Sequence, residues 1–330
     1  MRPFAALLLL AFATAQAELN TEGLPAGAVG IVGFDLVAFR ATKVGQAVEK
    51  LAGLKSKNLA AARKLNDKVG VDTAKDLRDL VVAIYPGPDG KVSETHAAGV
   101  VLIRGSFDPA RLAAFAQANQ LPGKTFGKYQ AWEAGPFIEK ITGEKPKKSE
   151  DAYLVAHSPE LIVIAGADFL DRALEAADRK EKATQFPAVT AARFASAQNG
   201  WLYLYADATK MNNTKGDFGA QDFSLVLGEN ATDLQLAIAG GFVSAEKASA
   251  ALRLLNGLQA GAAIGLMRDN GKTAEEKANQ AMLADLLQKI RISGEDKTAK
   301  LDLNYPTDKA VQFIIKAVEQ SKKDGPTAAK

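Results

Sequence analysis

The chain predicts an α+β fold made of two similar halves, each with antiparallel hairpins and helices packed on one sheet face. Three observations carry this. Apolar, β-branched runs come in pairs separated by short Gly, Pro, Asn and Asp turns. Stretches with one apolar stripe at helical spacing follow the hairpins. The same order of elements then recurs after about 150 residues, a usual domain size. Consecutive hairpins favour antiparallel pairing, and a helix with a single stripe needs only one surface to bury it.

Of the 330 residues 47% are hydrophobic and 24% charged, an ordinary globular balance. Lys and Arg number 41 against 38 Asp and Glu, a near balance that gives nucleic-acid binding no support. Met1 to Ala17 reads as an export signal: Arg2 supplies the positive start, Phe4 to Phe12 the apolar run, and Ala15-Gln16-Ala17 the small-x-small cleavage pattern. Cleavage following Ala17 leaves Glu18 first. The apolar run is shorter than the roughly 20 residues that span a bilayer, so no stable membrane span is expected in the mature protein. The chain has no cysteine, which excludes disulfides, thiol nucleophiles and a lipid anchor on cysteine. A cysteine-free exported chain points to a bacterial protein, periplasmic or secreted.

The first half spans 18–182. Ala28 to Ala38 reads as a strand, and Leu51, Leu54, Leu59, Ala62 and Leu65 as a helix that Gly70 stops. Asp72 to Leu77 reads as a helical turn. Leu80 to Tyr85 and Ala97 to Arg104 form a hairpin across Pro86-Gly87-Pro88-Asp89-Gly90. Asp108 then caps a helix with Pro109 at its first position and Leu112, Phe115 and Ala116 as its stripe. Lys128 to Glu133 suggests a strand. A second hairpin, Ala152 to Ala156 with Leu161 to Ala165, precedes a helix from Asp168 to Lys182.

The second half spans 183–322. Trp201 to Ala206 is its first strand, and Phe223 to Leu227 with Leu234 to Ala239 its first hairpin. Ser244 takes the cap position that Asp108 held. Extra helix is expected from Leu258 to Gln288, opened by the capping box Thr273-x-x-Glu276. The last hairpin, Lys289 to Ser293 with Ala299 to Tyr305, leads to a helix capped by Thr307 with the stripe Ala310, Phe313, Ile314 and Val318. Residues 323–330 are expected to be a disordered tail.

Asp76 to Ala83, followed by Gly99 to Pro109 with its Gly105-Ser106-Phe107-Asp108-Pro109 helix start, resembles uncharacterised exported bacterial proteins. The likeness covers mainly residues 60 to 180. It implies no activity and transfers no functional residue.

No residue is assigned a catalytic, cofactor-binding or metal-ligating role, and no cofactor is expected. His96 and His157 lack a second ligand at zincin spacing and read as structural or surface histidines. Ser244-Ala245-Glu246-Lys247 has the Ser-x-x-Lys spacing of penicillin-recognising enzymes, yet its companion motifs are missing and a helix cap accounts for Ser244. Gly27, Gly30 and Gly33 lack a phosphate-loop context and suggest close backbone packing. Asp35 and Asp207 end matching strands, where a paired acid site is conceivable and capping is the simpler reading. Gly257, Gly261 and Gly265 make one smooth helix face, expected to pack against a neighbouring element. Trp201, Tyr203 and Tyr205 alternate onto one sheet face, as core or binding platform. The lysines Lys140, Lys145, Lys147 and Lys148 read as a solvated loop. These features favour a non-enzymatic binding or scaffold protein of the cell envelope, with an unknown envelope protein or ligand as partner. The alternative is a periplasmic hydrolase whose site assembles only in three dimensions.

Overall fold

The computed structural model describes residues 19–53, 64–92, 98–143, 151–182, 186–196, 200–211, 219–268 and 274–323. The export signal, His96, Lys145, Lys147, Lys148, Thr273 and the tail beyond 323 lie outside them. In chain order come β1 (Gly30–Asp35), α1 (Leu36–Ala41), α2 (Lys43–Gly53), a helical stretch at 64–69, β2 (Leu77–Tyr85), β3 (Ala98–Gly105) and α3 (Pro109–Ala118). Then follow β4 (Gly123–Phe126), β5 (Tyr129–Glu133), α4 (Ala134–Thr142), β6 (Ala152–Ser158), β7 (Leu161–Gly166), α5 (Ala167–Arg179) and α6 (Ala188–Ser196). The remainder is β8 (Gly200–Asp207), β9 (Ala220–Glu229), β10 (Asp233–Phe242), α7 (Ala245–Arg268), α8 (Ala274–Lys289), β11 (Ile290–Glu295), β12 (Thr298–Pro306) and α9 (Thr307–Lys323).

All twelve strands form one sheet in the order β11-β12-β10-β9-β8-β1-β2-β3-β7-β6-β5-β4. Every neighbouring pair is antiparallel. At the centre β1 lies against β8, with Gly30 opposite Ala206 and Phe34 opposite Leu202. Outward from β1 the order is β2, β3, β7, β6; outward from β8 it is β9, β10, β12, β11.

Helices cover both faces of the β1 side, where one covered face was expected. Val81, Val100, Leu102, Val155 and Val163 pack with Leu170 and Leu174 of α5 and Phe194 of α6. Alternate residues of the same strands, Ile103, Leu154, Ile162 and Ile164, pack with Leu112 of α3 and Phe137 and Ile141 of α4. The runs Val100-Val101-Leu102-Ile103 and Leu161-Ile162-Val163-Ile164 are continuously apolar, as strands buried on both faces are. Beyond β9 the strands alternate instead. Leu234, Leu236, Leu303 and Tyr305 face α8 and α9, while Gln235, Asp302 and Asn304 occupy the other face.

Local chemistry explains the element ends. The Asp108 carboxylate accepts from Ala110 N at 3.0 Å and Arg111 N at 3.1 Å, with Pro109 at the first helical position. Asp35 accepts from Ala38 N at 2.8 Å and opens α1, so β1 ends at Asp35, within the expected range of strand ends. Gly70, with φ of 73°, ends the 64–69 helix as its sequence position implied. A more distant contact caps α2: the buried Glu229 carboxylate, at the end of β9, accepts from Lys43 N at 2.8 Å and Val44 N at 3.1 Å. Strand β4 and helices α4 and α6 were not anticipated, and the extra helix expected from Leu258 to Gln288 is carried by the end of α7 and by α8.

Two side-chain expectations are corrected. Thr307 begins α9, but its Oγ1 is buried without a hydrogen-bond partner and caps nothing. Phe313 is exposed instead of lying in the buried stripe with Ala310. The aromatic row of β8 also splits. Tyr203 and Tyr205 pack against Phe194 and Phe186, whereas a register shift between Gly200 and Leu202 turns Trp201 to the other face against Phe34 and Phe39. All three are buried, as core and not as a platform.

Candidate functional site

Two surfaces gather side chains able to contact something else. The first is a polar cleft of about 700 Å³ between Asn20 to Gly23, the start of β2, the β6–β7 turn and the end of α5. At one wall Tyr129, from β5, donates to Asp178 Oδ1 of α5 at 2.5 Å. His157 Nε2, at the end of β6, lies 2.9 Å from Tyr129 Oη and 3.1 Å from Asp178 Oδ1, and its ring stacks on Tyr129 at 4.9 Å between centroids. Tyr129 spends its one proton on the carboxylate, so the network assigns a proton to Nε2. Nδ1 is buried with no hydrogen-bond partner. Lys128 Nζ adds an ion pair to Asp178 at 3.2 Å.

These contacts describe a bracing cluster. The Tyr129 hydrogen bond, with help from Lys128 and His157, holds the Asp178 carboxyl below its usual range. Burial and the bond to Asp178 push the Tyr129 hydroxyl up. An acid held ionised and a tyrosine held protonated oppose the roles of proton donor and nucleophile for those two groups, which leaves His157 as the cluster's one candidate base. Ser158 Oγ beside them accepts from Glu160 N at 3.2 Å, an ordinary turn contact. Deeper in the cleft Arg104 donates to Asp79 Oδ1 at 2.6 Å, to Asn20 O at 3.2 Å and to Glu22 O, pinning the N-terminal segment to β2 and β3. Sequence reading treated His157 as isolated. Asp178 and Tyr129 stand 21 and 28 residues away in the chain, so only strand order brings them together.

The strand-end acids do not meet. Because β1 and β8 are antiparallel, Asp35 and Asp207 sit at opposite ends of the pair. Each faces a different neighbour: Asp35 lies opposite Asp79, and Asp207 opposite Asp222. Burial raises the Asp35 carboxyl, with Asp79 adding to the rise and the Ala38 N–H opposing it. Burial likewise raises Asp222, opposed by its hydrogen bond from Gly241 and reinforced by Asp207. Asp207 itself accepts from Thr209 N at 3.0 Å, the expected turn role. Ser244 Oγ accepts from Lys247 N at 3.3 Å, so that serine is a cap. A Cβ on Gly33 would collide with Leu19, which accounts for that glycine by close packing.

The second surface is the α7–α8 pair. A groove of about 570 Å³ runs between them, lined by alanines and leucines, among them Ala260, Ala263, Ala281 and Ala284, and by the polar Asn256, Gln259, Lys277, Gln280 and Gln288. On α7, Leu254, Leu258 and Ile264 are 52%, 61% and 51% exposed. Gly257, Gly261 and Gly265 have nothing within 4 Å of where a Cβ would stand. The expected packing of this glycine face against a neighbouring element is therefore absent among the described residues. Helical spacing specifies a smooth face but not an occupant. No described helix is long and apolar enough to cross a membrane, and no cluster of three metal-ligating side chains occurs among the described residues.

No protein-family model matches the chain, and no curated protein does. Among solved structures it is similar to three crystal forms of TP0453. Form I gives a TM-score of 0.42 at 11% identity, covering 91% of this chain and 98% of that one. Form III gives 0.45 at 10% identity over 91% and 99% of the two chains, and form IV 0.45 at 9% over 92% and 99%.

Proposed function

We propose that this chain is an exported, non-enzymatic binding or scaffold protein of the bacterial cell envelope, and that α7 and α8 carry its contact surface. One observation carries the reading: a helix with three large apolar side chains more than half exposed, and a bare glycine face, also walls a groove of mixed apolar and polar lining. Exposed apolar side chains on a helix face mark interaction sites on soluble proteins, and the groove on the opposite side of α7 has the size of a ligand pocket. Export rests on the Met1 to Ala17 signal, and N-terminal sequencing of the processed chain should begin at Glu18. The contact is tested with a Leu254→Asp/Leu258→Asp variant. It should lose both the envelope component captured by the wild type and most binding of the apolar fluorophore ANS. Equal capture and equal ANS binding by the two proteins would overturn it.

The Tyr129–His157–Asp178 cluster supports a second reading, a periplasmic hydrolase assembled in three dimensions. Ester hydrolysis by the purified protein that disappears in His157→Ala would favour it over the first.

We also infer that the sheet comprises two copies of one α+β unit, 18–182 and 183–322, the second with a helical insertion. The support is the strand order, in which each unit places its last hairpin outside its first with the later strand innermost. A crystal structure in which β1, β2, β3, β7 and β6 failed to superpose on β8, β9, β10, β12 and β11 would refute it.

A further inference from the structure

We propose that two copies of this chain join edge to edge through β11, continuing the sheet across a twofold axis at Ser293. The sheet ends at β4 and β11, and the two ends are built differently. β4 has four residues, with Lys124 on the strand and Lys128 in its turn. Self-pairing there sets lysines near lysines, a usual guard against edge association. β11 has six residues and pairs with β12 without a bulge.

The hydrogen-bond direction of β11 follows from its neighbour. Lys297 O accepts from Phe242 N at 2.8 Å, so the odd-numbered residues at this end of β12 face β10 and the even-numbered ones face β11. Thr298, Lys300 and Asp302 therefore bond Glu295, Ser293 and Arg291. The main-chain groups of Ile290, Ile292 and Gly294 point away from the sheet. Gln259 Nε2 of α7 satisfies Ile290 O at 3.1 Å. Ile292 and Gly294 keep their outward N–H and C=O groups.

The side chains select one pairing. Ile290 packs into the α8 and α9 cluster, and Leu252 of α7 fills the place of a Gly294 Cβ, so this face belongs to the helices. Arg291, Ser293 and Glu295 are exposed on the other face. Antiparallel pairing centred on Ser293 sets Ile292 opposite Gly294 of the second copy, and the reverse, each pair exchanging both main-chain hydrogen bonds. The same register puts Arg291 opposite Glu295 twice. Those are non-hydrogen-bonded positions, where Cα atoms stand about 4.5 Å apart and side chains interact most closely. A two-residue slip toward the turn sets Arg291 against Lys297, and a slip the other way leaves Arg291 facing Ser293 and moves Glu295 off the strand, opposite Lys289 at the end of α8. Charge thus disfavours the first slip, and only the Ser293-centred register keeps both charged pairs within β11. This surface is separate from the exposed face of α7, so the two readings stand or fall independently.

The test is sedimentation velocity on the mature chain up to roughly 100 μM, a range in which a small interface associates. The wild type should form a concentration-dependent dimer. Arg291→Glu and Glu295→Arg should each weaken it by about tenfold or more, since two attractive pairs become repulsive, and the double swap should restore it. Ile292→Pro removes an outward N–H at an edge strand, where proline is tolerated, and should abolish the dimer, with an unchanged circular dichroism spectrum as the check that the fold survives the lost side chain. The cysteine-free background adds a direct probe: Ser293→Cys should oxidise to a covalent dimer. A wild type that stays monomeric, a dimer indifferent to both charge reversals and to Ile292→Pro, or a Ser293→Cys chain that stays uncrosslinked overturns the proposal.

Discussion

At the residue scale, the informative groups are acids held near other acids. Asp35 caps α1 while burial and Asp79 raise its carboxyl above the ordinary 3.8. A raised carboxylate makes the folded state the tighter proton binder, so ionisation weakens the fold once pH exceeds the unfolded value. Asn caps about as well as Asp but carries no charge. Asp35→Asn should therefore gain stability over the wild type as pH rises from below 3.8 through the raised value, and hold that gain at neutral pH. Urea midpoints at about pH 3 and pH 7 measure it, and an equal difference at both would contradict the assignment. The capping roles of Asp108 and Ser244 were legible in sequence because donor and acceptor lie within three residues. The Asp35–Asp79 opposition and the Tyr129–His157–Asp178 cluster were not, because strand register creates them.

At the element scale, strong local signals and weak ones divide cleanly. The hairpins and the helices after them were readable from apolar runs, turn residues and caps. β4 was not: Gly-Lys-Thr-Phe has no apolar alternation, and it pairs only because β5 holds it. α4 begins Ala-Gly-Pro, which reads as a turn until Phe137 and Ile141 are seen in the core. The start of α2 depends on Glu229, supplied from 186 residues along the chain. Glu229→Ala leaves two amide donors without this acceptor and should cost about 1–3 kcal/mol in urea unfolding. Lys43→Ala removes only the exposed pair with Asp308 and should change stability by less than about 0.5 kcal/mol. Similar losses in the two variants would argue against the cap.

At the scale of the whole molecule, one core ties the two sides of the sheet together. Val81, Leu170, Tyr203 and Val226 belong to the same buried cluster although they come from both sides of the β1–β8 seam. α2 also packs along α9, with Lys43 Nζ 2.9 Å from Asp308. Calorimetry should therefore show one cooperative transition, with equal calorimetric and van't Hoff enthalpies. Two resolved transitions would mean that each side melts on its own.

The position of β1 has a further consequence for how the chain is made. It lies in the middle of the sheet, yet it is the first strand to emerge, and its neighbour β8 follows only after the whole β2–β7 side. Made amino-terminus first, the chain thus holds β1 with one edge unpaired until β8 is complete. A strand edge of this kind is open to pairing with other chains until β8 arrives.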